Sequence, residues 1–453
     1  MKKNITEELL KGLEIFKNKP LSHRDRKELK NSILDYAGVT LAGKKELAHK
    51  NSKRIRGLST SQGVGIIGYE GKYSTKDAAL FNGIHSHKVE LDDGHRFAMM
   101  HPGSVIFSAL FPMAEKHSVS GENFLKGAQA GYEVGIRVAM AMQPELKLRG
   151  FHGTGVAGTI GAAAGIGVML GYDRSQLKAT LAYAATGASG LLGVIDDQSD
   201  LKPFNAGNAA LQGVLAAEMG ILQYEGPEDI LGGKRGLLKA MTGDVESEHF
   251  YIDEKEEAMI HRCYRKAYAS CRHCHPMMEA VIKLNTGNVL EINDIGEIKI
   301  LTYQLAIEGH DHVDIKGESS AKMSIPYSVA VALKHGHGNR QLFQGEILMD
   351  PQVHELMAKM RIEADPILSS WVPDKRGAKV TVTLNNGEQF TELVEYPKGE
   401  PENPISSSEL ESKFFSLSQY SGVTEENGRE LMESIYMIED NMGKVIDAIH
   451  RNS

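Results

Sequence analysis

Cysteine is nearly missing from this chain: three in 453 residues, all between Cys263 and Cys274. That excludes a disulfide scaffold, and in a cytoplasmic protein no disulfide is expected at all. Excess positive charge is missing as well. Lys and Arg number 51 against 59 Asp and Glu, a net charge of −8, which argues against non-specific binding to nucleic acid or an anionic membrane. The N-terminal MKKNITEELLKGLEIFKNKP has no signal-peptide core and instead places Leu9, Leu10, Leu13 and Phe16 at helical spacing. Cytoplasm is therefore the expected location. There is no internal repeat and no low-complexity segment. One stretch without charge, Phe151–Tyr172, resembles a membrane span, but its seven glycines make it too weakly hydropathic to insert in a bilayer. Small residues at 158, 161, 162 and 165 suit a helix packed closely inside a soluble bundle instead.

What remains describes a soluble globular chain, with 41% hydrophobic and 24% charged residues, too long for one ordinary core. The expected fold is mostly α: a large all-α helical domain with an inserted smaller α+β lid domain. Apolar residues recur at three- and four-residue spacing in 27–42, 75–87, 104–117, 121–142, 154–170, 174–191 and 208–225. Residues 1–257 thus form the first part of the helical domain, with strand-like runs almost absent. The character changes near 258. IGEIKILTYQLAIEGH (295–310) alternates like a strand, and 379–384 and 388–395 flank Asn385-Asn386-Gly387 as a hairpin. Helical runs at 276–286, 324–335 and 350–360 complete an α+β lid over 258–398. The proline-rich stretch 397–404 reads as a linker, and 399–453 as C-terminal helices returning to the first domain. A cleft between two such domains is the usual place for a small-molecule site.

The densest chemistry is HSHKVELDDGHRFAMMH (85–101), with His85, His87, His95 and His101 among Glu90, Asp92 and Asp93. Imidazoles tuned by carboxylates move protons or hold a metal. Gly153-Thr154-Gly155-Val156-Ala157-Gly158 matches a dinucleotide pattern, but charged residues precede it where a buried strand is required. It reads as a helix start, and His152 beside it is placed to address a carboxylate. Cys263, Cys271 and Cys274 interleave with His261, His273 and His275 at spacings unsuited to paired zinc knuckles. Cationic neighbours of Cys271 (Lys266, Arg272 and His275) point to a tuned thiol instead. Lys202, in a short loop before a helix, is a candidate anchor for an anionic substrate.

Six blocks in order, FNGIHSHKVELDD (81–93), HPGS (101–104), GFHGTGVAGTIGAA (150–163), LKPFNAGNAA (201–210), KAYASCRHCHP (266–276) and AKMSIPYSVA (321–330), resemble the MmgE/PrpD family over nearly the whole chain. That family includes 2-methylcitrate dehydratases, cis-aconitate decarboxylases and iminodisuccinate epimerases. The resemblance implies a helical domain with an inserted lid, a homodimer, no cofactor and no metal, and a small polycarboxylate substrate. It places His101, His152, Lys266 and Cys271 as catalytic residues, and Glu90, Lys202, Arg272 and Tyr327 as substrate-binding ones. The implied reaction is that of a lyase, a dehydratase or decarboxylase. An epimerase of a dicarboxylate and a metal-dependent hydro-lyase are the alternatives. The chain departs from the decarboxylase branch at Glu90 for an aspartate, Gly94 for a threonine, and Asn205 and Cys271 for histidines.

Overall fold

A computed structural model describes residues 4–451, apart from 223, 244–248, 254 and 289. The chain divides into two compact units. The first comprises Met1–Asp196, Leu201–Cys263 and Ser406–Ser453, and the second Asp197–Asp200 and Tyr264–Ile405.

The first unit is built on Gly153–Met169, a helix in which every residue is buried. It packs against Gly121–Met142 and Lys202–Gly220. Glycines at i, i+4 spacing lie on one stripe of a helix, and here two stripes meet. A Cβ on Gly161 would lie 2.7 Å from the Gly131 carbonyl oxygen and 2.9 Å from Gly135 Cα, and one on Gly165 would lie 2.7 Å from the Gly127 oxygen. The backbones therefore touch, which the small residues of this apolar run suggested. No described helix is long and apolar enough to cross a membrane. Gly161→Ala should destabilise the chain by about 1–3 kcal/mol, because an added methyl has only backbone to push against. A lowered urea midpoint checks this, and an unchanged one would contradict the backbone contact.

The expected helices form, with adjusted ends. The 27–42 run extends over His23–Arg56, started by a capping box between Ser22 and Asp25. The 174–191 run stops at Gly187, and the 208–225 run starts early at Lys202, with Pro203 in its first turn. Ser407–Ser421 returns to the first unit and packs on His23–Arg56, where Lys413 pairs with the buried Asp35 at 2.6 Å. Three strands escaped the sequence reading: β1 (Val64–Ile66) and β2 (Tyr69–Tyr73), an antiparallel pair, and Met360–Ala364 in the second unit. Runs of three and five residues are too short to display a period.

In the second unit β3 (Ile295–Thr302), β4 (Met360–Ala364), β5 (Ala378–Leu384) and β6 (Gln389–Val394) form one sheet in the order β4-β3-β5-β6. β3 runs parallel to β4 and antiparallel to β5, and β5–β6 is the expected hairpin. Its turn contains Gly387 at φ 89, a left-handed conformation that suits glycine. The helix His275–Asn288 packs on β5, β6 and Ile325–His335. Two expectations need correction. The strand expected to reach His310 ends at Thr302, and Gln304–Ile307 is a helical turn; a short apolar run fits either period. The 397–404 stretch is no linker. Gly399 N–H donates to the Asn403 carbonyl at 2.8 Å, the Gly399 carbonyl accepts from Arg265 N–H at 3.0 Å, and Glu400 is buried. Proline and glycine here punctuate a packed turn whose backbone groups are paired internally.

Candidate active site

Three helix starts carry the first unit's titratable cluster. His87 lies in the last turn of Thr75–Lys88, after which Glu90 adopts φ 57, an uncommon conformation for a non-glycine residue. The chain then wraps to His101, the N-cap of Pro102–His117. Asp92 and Asp93 serve the start of that helix, where the N–H dipoles favour negative charge. Asp93 Oδ1 accepts from Gly103 N–H at 2.9 Å, and its Oδ2 accepts from the Tyr132 hydroxyl at 2.6 Å. Asp92 Oδ2 accepts from Ser104 Oγ and from His87 Nδ1, each at 2.7 Å. Burial pushes the Asp93 carboxyl up to about 7, with the charges of Asp35 and Asp92 adding to it.

The imidazoles are set in defined tautomers. His101 Nδ1 lies 2.6 Å from the Asp93 carbonyl oxygen, which can only accept. Nδ1 therefore carries the hydrogen, and Nε2 is the basic nitrogen of the neutral ring. His152, the N-cap of Gly153–Met169, is set the other way. Asn205 Nδ2 donates to the Leu191 carbonyl at 3.0 Å, which orients the amide, and the same Nδ2 meets His152 Nδ1 at 3.1 Å. His152 Nδ1 thus accepts and Nε2 holds the hydrogen. Burial, together with the charges of His87, Lys202 and His101, depresses His152 well below the usual histidine range, so it stays neutral. The His87 ring lies between the two, its centroid 4.9 Å from that of His101 and 6.0 Å from that of His152. Lys202, the first residue of the third helix, bonds to Glu90. Among the described residues, the one His/Cys/Asp/Glu group able to converge on a cation is His87, Asp92 and His101, with ligand atoms within 4.8 Å of one another.

The cluster is smaller than its sequence suggested. His85 is two residues from His87 on the same helix, so it faces away. It stacks on Tyr69 at 5.6 Å, with both ring nitrogens buried and without hydrogen bonds. Burial, aided by the Lys44 charge, lowers its pKa from 6.5 to about 3. Between those values the unfolded chain binds a proton that the folded chain refuses, so this residue's contribution to stability is lost as pH falls from 6.5 toward 3. Asp93 acts oppositely, its contribution fading as pH rises through about 7. His85→Phe should therefore gain on the parent protein by about 2 kcal/mol between pH 7.5 and pH 5. Urea midpoints at the two pH values measure this, and a pH-independent difference would refute the burial of a neutral His85. His95 packs against Phe97 and accepts from Ala98 N–H.

The second unit holds the other candidates. Lys266 is almost fully buried. Arg272 donates from Nε and Nη2 to Glu400 at 3.1 and 2.6 Å, and its guanidinium lies over Tyr264 at 4.8 Å. Its Nη1 is buried without a hydrogen bond. Tyr327 is fully buried and its hydroxyl donates to the Leu342 carbonyl at 2.7 Å. Cys271 Sγ lies 3.3 Å from His310 Nε2. His310 was missed by the sequence reading, as was Tyr132; the polar Gly309-His310-Asp311-His312 after β3 was the available signal for His310. Cys263 belongs to the first unit, its thiol 3.6 Å from the Met259 carbonyl.

Residues 13–249 match the model of the MmgE/PrpD N-terminal domain, and residues 268–436 that of the MmgE/PrpD C-terminal domain. The chain is 26% identical to a cis-aconitate decarboxylase-like protein of Aspergillus oryzae, covering 96% of this chain and 95% of that protein. It is similarly 26% identical to the cis-aconitate decarboxylase of Homo sapiens, over 91% of this chain and 88% of that enzyme. A cis-aconitate decarboxylase of Aspergillus terreus is 26% identical over 83% and 81%.

Proposed function

The chain belongs to the MmgE/PrpD family, and from that premise we propose that it is a cofactor-independent lyase of a small di- or tricarboxylate, working by acid–base chemistry at a carbon next to a carboxylate. The observation that carries the reading is the opposed pair of tautomers. His101 presents a basic Nε2 and the neutral His152 presents an Nε2–H, each at the start of a helix whose dipole favours an anion. His101 removes the proton from the acidified carbon, and Asp92, 3.5 Å from its Nδ1, stabilises the imidazolium that forms. Charge then develops on the substrate carboxylate oxygens, where a neutral imidazole N–H donates without first losing its proton.

In a dehydration the imidazolium returns its proton to the departing hydroxyl; in a decarboxylation carbon dioxide leaves in place of a proton, and the carbanion takes its proton from the imidazolium form of His101. The decarboxylases among the relatives support a reaction of this type. Lys202, beside Glu90, and Lys266 supply positive charge for substrate carboxylates. Arg272 does so through Nη1, with Glu400 occupying its other face. Cys271 is the second proton-transfer group, while Tyr327, buried with its hydroxyl on the Leu342 carbonyl, holds its helix in place.

Proton NMR in deuterated water, with a panel of citrate-, aconitate-, succinate- and aspartate-derived acids, tests the proposal. Loss of water or carbon dioxide from one of them is the expected result. Deuterium uptake at carbon without either loss would favour the epimerase instead. Activity abolished by exhaustive chelation and restored by a divalent cation would move the chemistry to a metal at His87, Asp92 and His101.

A further inference from the structure

Cys271 heads the short turn Arg272–Cys274, which leads into the His275–Asn288 helix. Its position is held by the backbone: its N–H donates to the Lys322 carbonyl at 2.8 Å, and its own carbonyl accepts from Cys274 N–H at 2.9 Å. The thiol faces His310 Nε2 at 3.3 Å. The other ring nitrogen, Nδ1, lies 2.8 Å from the Glu308 carbonyl oxygen. A carbonyl only accepts, so Nδ1 bears the hydrogen, Nε2 bears the lone pair, and the thiol is the donor. Two features fix that ring. Gly309, at φ 78, turns the chain back so that the imidazole reaches a carbonyl two residues earlier, a left-handed step natural to glycine. The His310 carbonyl in turn accepts from Ile325 N–H at 2.7 Å.

The groups around the pair are mostly cationic or neutral. The His273 ring centroid lies 5.1 Å from that of His310, and its Nδ1 is 2.6 Å from the Tyr303 hydroxyl. Burial raises the Tyr303 phenol, whose titration also senses Arg376, Cys271 and Arg272, so it stays neutral. Glu400 is already paired with Arg272.

We infer that Cys271 and His310 form a thiol–imidazole couple in which the sulfur gives its proton to Nε2, making a reactive-thiol site for soft electrophiles and a proton acceptor built from two residues 39 positions apart. The S–H bond breaks as the N–H bond forms, leaving thiolate and imidazolium with no other reactant. With iodoacetamide, the sulfur electron pair forms an S–C bond and iodide leaves. The use of the couple in turnover rests on the function proposed above; its existence does not.

The test is alkylation of the intact chain by iodoacetamide across pH 5–10, with each cysteine followed by peptide mass spectrometry. The buried Cys263 and Cys274 serve as internal references. The Cys271 rate should inflect at least one unit below the value of about 8.5 of a free thiol. Thiolate absorbance near 240 nm should follow it and vanish in Cys271→Ser. His310→Gln should return the inflection to about 8.5 and slow labelling at pH 7 roughly tenfold. A parent protein that inflects as an ordinary thiol overturns the couple, whether or not the variant folds, and so does a folded His310→Gln that labels like the parent. If the couple is present but Cys271→Ser turns over normally, its part in the reaction falls while the proposed lyase activity is untouched.

Discussion

His101→Ala lowers turnover by about 100- to 10,000-fold, the range in which a positioned acid–base group contributes. The loss is expected to be chemical, because the helix start does not depend on the ring, which bonds to the Asp93 carbonyl and packs on His87. His101 is an N-cap whose side chain makes no capping bond, and it is the backbone N–H, retained in alanine, that donates to Thr154 Oγ1 at 3.1 Å. Pro102 continues to fix the first helical φ. The check is kcat by proton NMR, with melting temperature measured alongside. A variant that melts like the parent and turns over within a few-fold of it removes His101 from the chemistry. An unchanged KM with a collapsed kcat is the expected signature, since proton transfer is felt in the transition state and not in binding.

The second large effect is on stability. Arg272→Met leaves Glu400, 2% exposed, as a buried carboxylate without its cation, and removing one partner of such a pair costs about 3–5 kcal/mol. The loss includes the contact with Tyr264, which methionine partly preserves. Hydrogen exchange of amides in the 264–405 segment provides the measurement, because opening of that unit is read there directly. Replacing both partners, Arg272→Met with Glu400→Leu, should recover much of the loss, since two apolar groups bury no charge. A single Arg272→Met as stable as the parent would show that the ion pair contributes nothing.

Local patterns account for what could be read in advance. The helices announce themselves through three- and four-residue spacing, and the tight glycine stripe at 158–165 foretells the backbone contact with Gly131 and Gly135. The β5–β6 hairpin follows from Asn385-Asn386-Gly387, a turn chemistry with few alternatives. His101 stood out within the 85–101 cluster of histidines and carboxylates, and His152 beside the helix start at Gly153; their roles came from the family resemblance. What stayed hidden depends on distance along the chain. Arg272 and Glu400 are 128 residues apart, His310 is 39 from Cys271, and Tyr132 is 39 from Asp93; no spacing rule connects such pairs. The reverse error also occurred. The histidines at 85 and 95 were grouped with their neighbours by sequence, whereas helical geometry turns one away and the following loop packs the other on Phe97.

The pairing of Ser407–Ser421 with His23–Arg56 has a consequence for synthesis. The ribosome releases the chain from the N-terminus at about 5–20 residues per second. The 264–405 segment therefore emerges in full while the long His23–Arg56 helix still lacks its C-terminal neighbour. Until residues 407–421 arrive, Asp35 waits for Lys413 and Gly38 presents bare backbone where Phe414 will sit. The nascent protein thus carries an uncovered apolar face through most of its translation. That face is where a holding chaperone would bind, and chains truncated before residue 406 should aggregate rather than accumulate as a folded first unit.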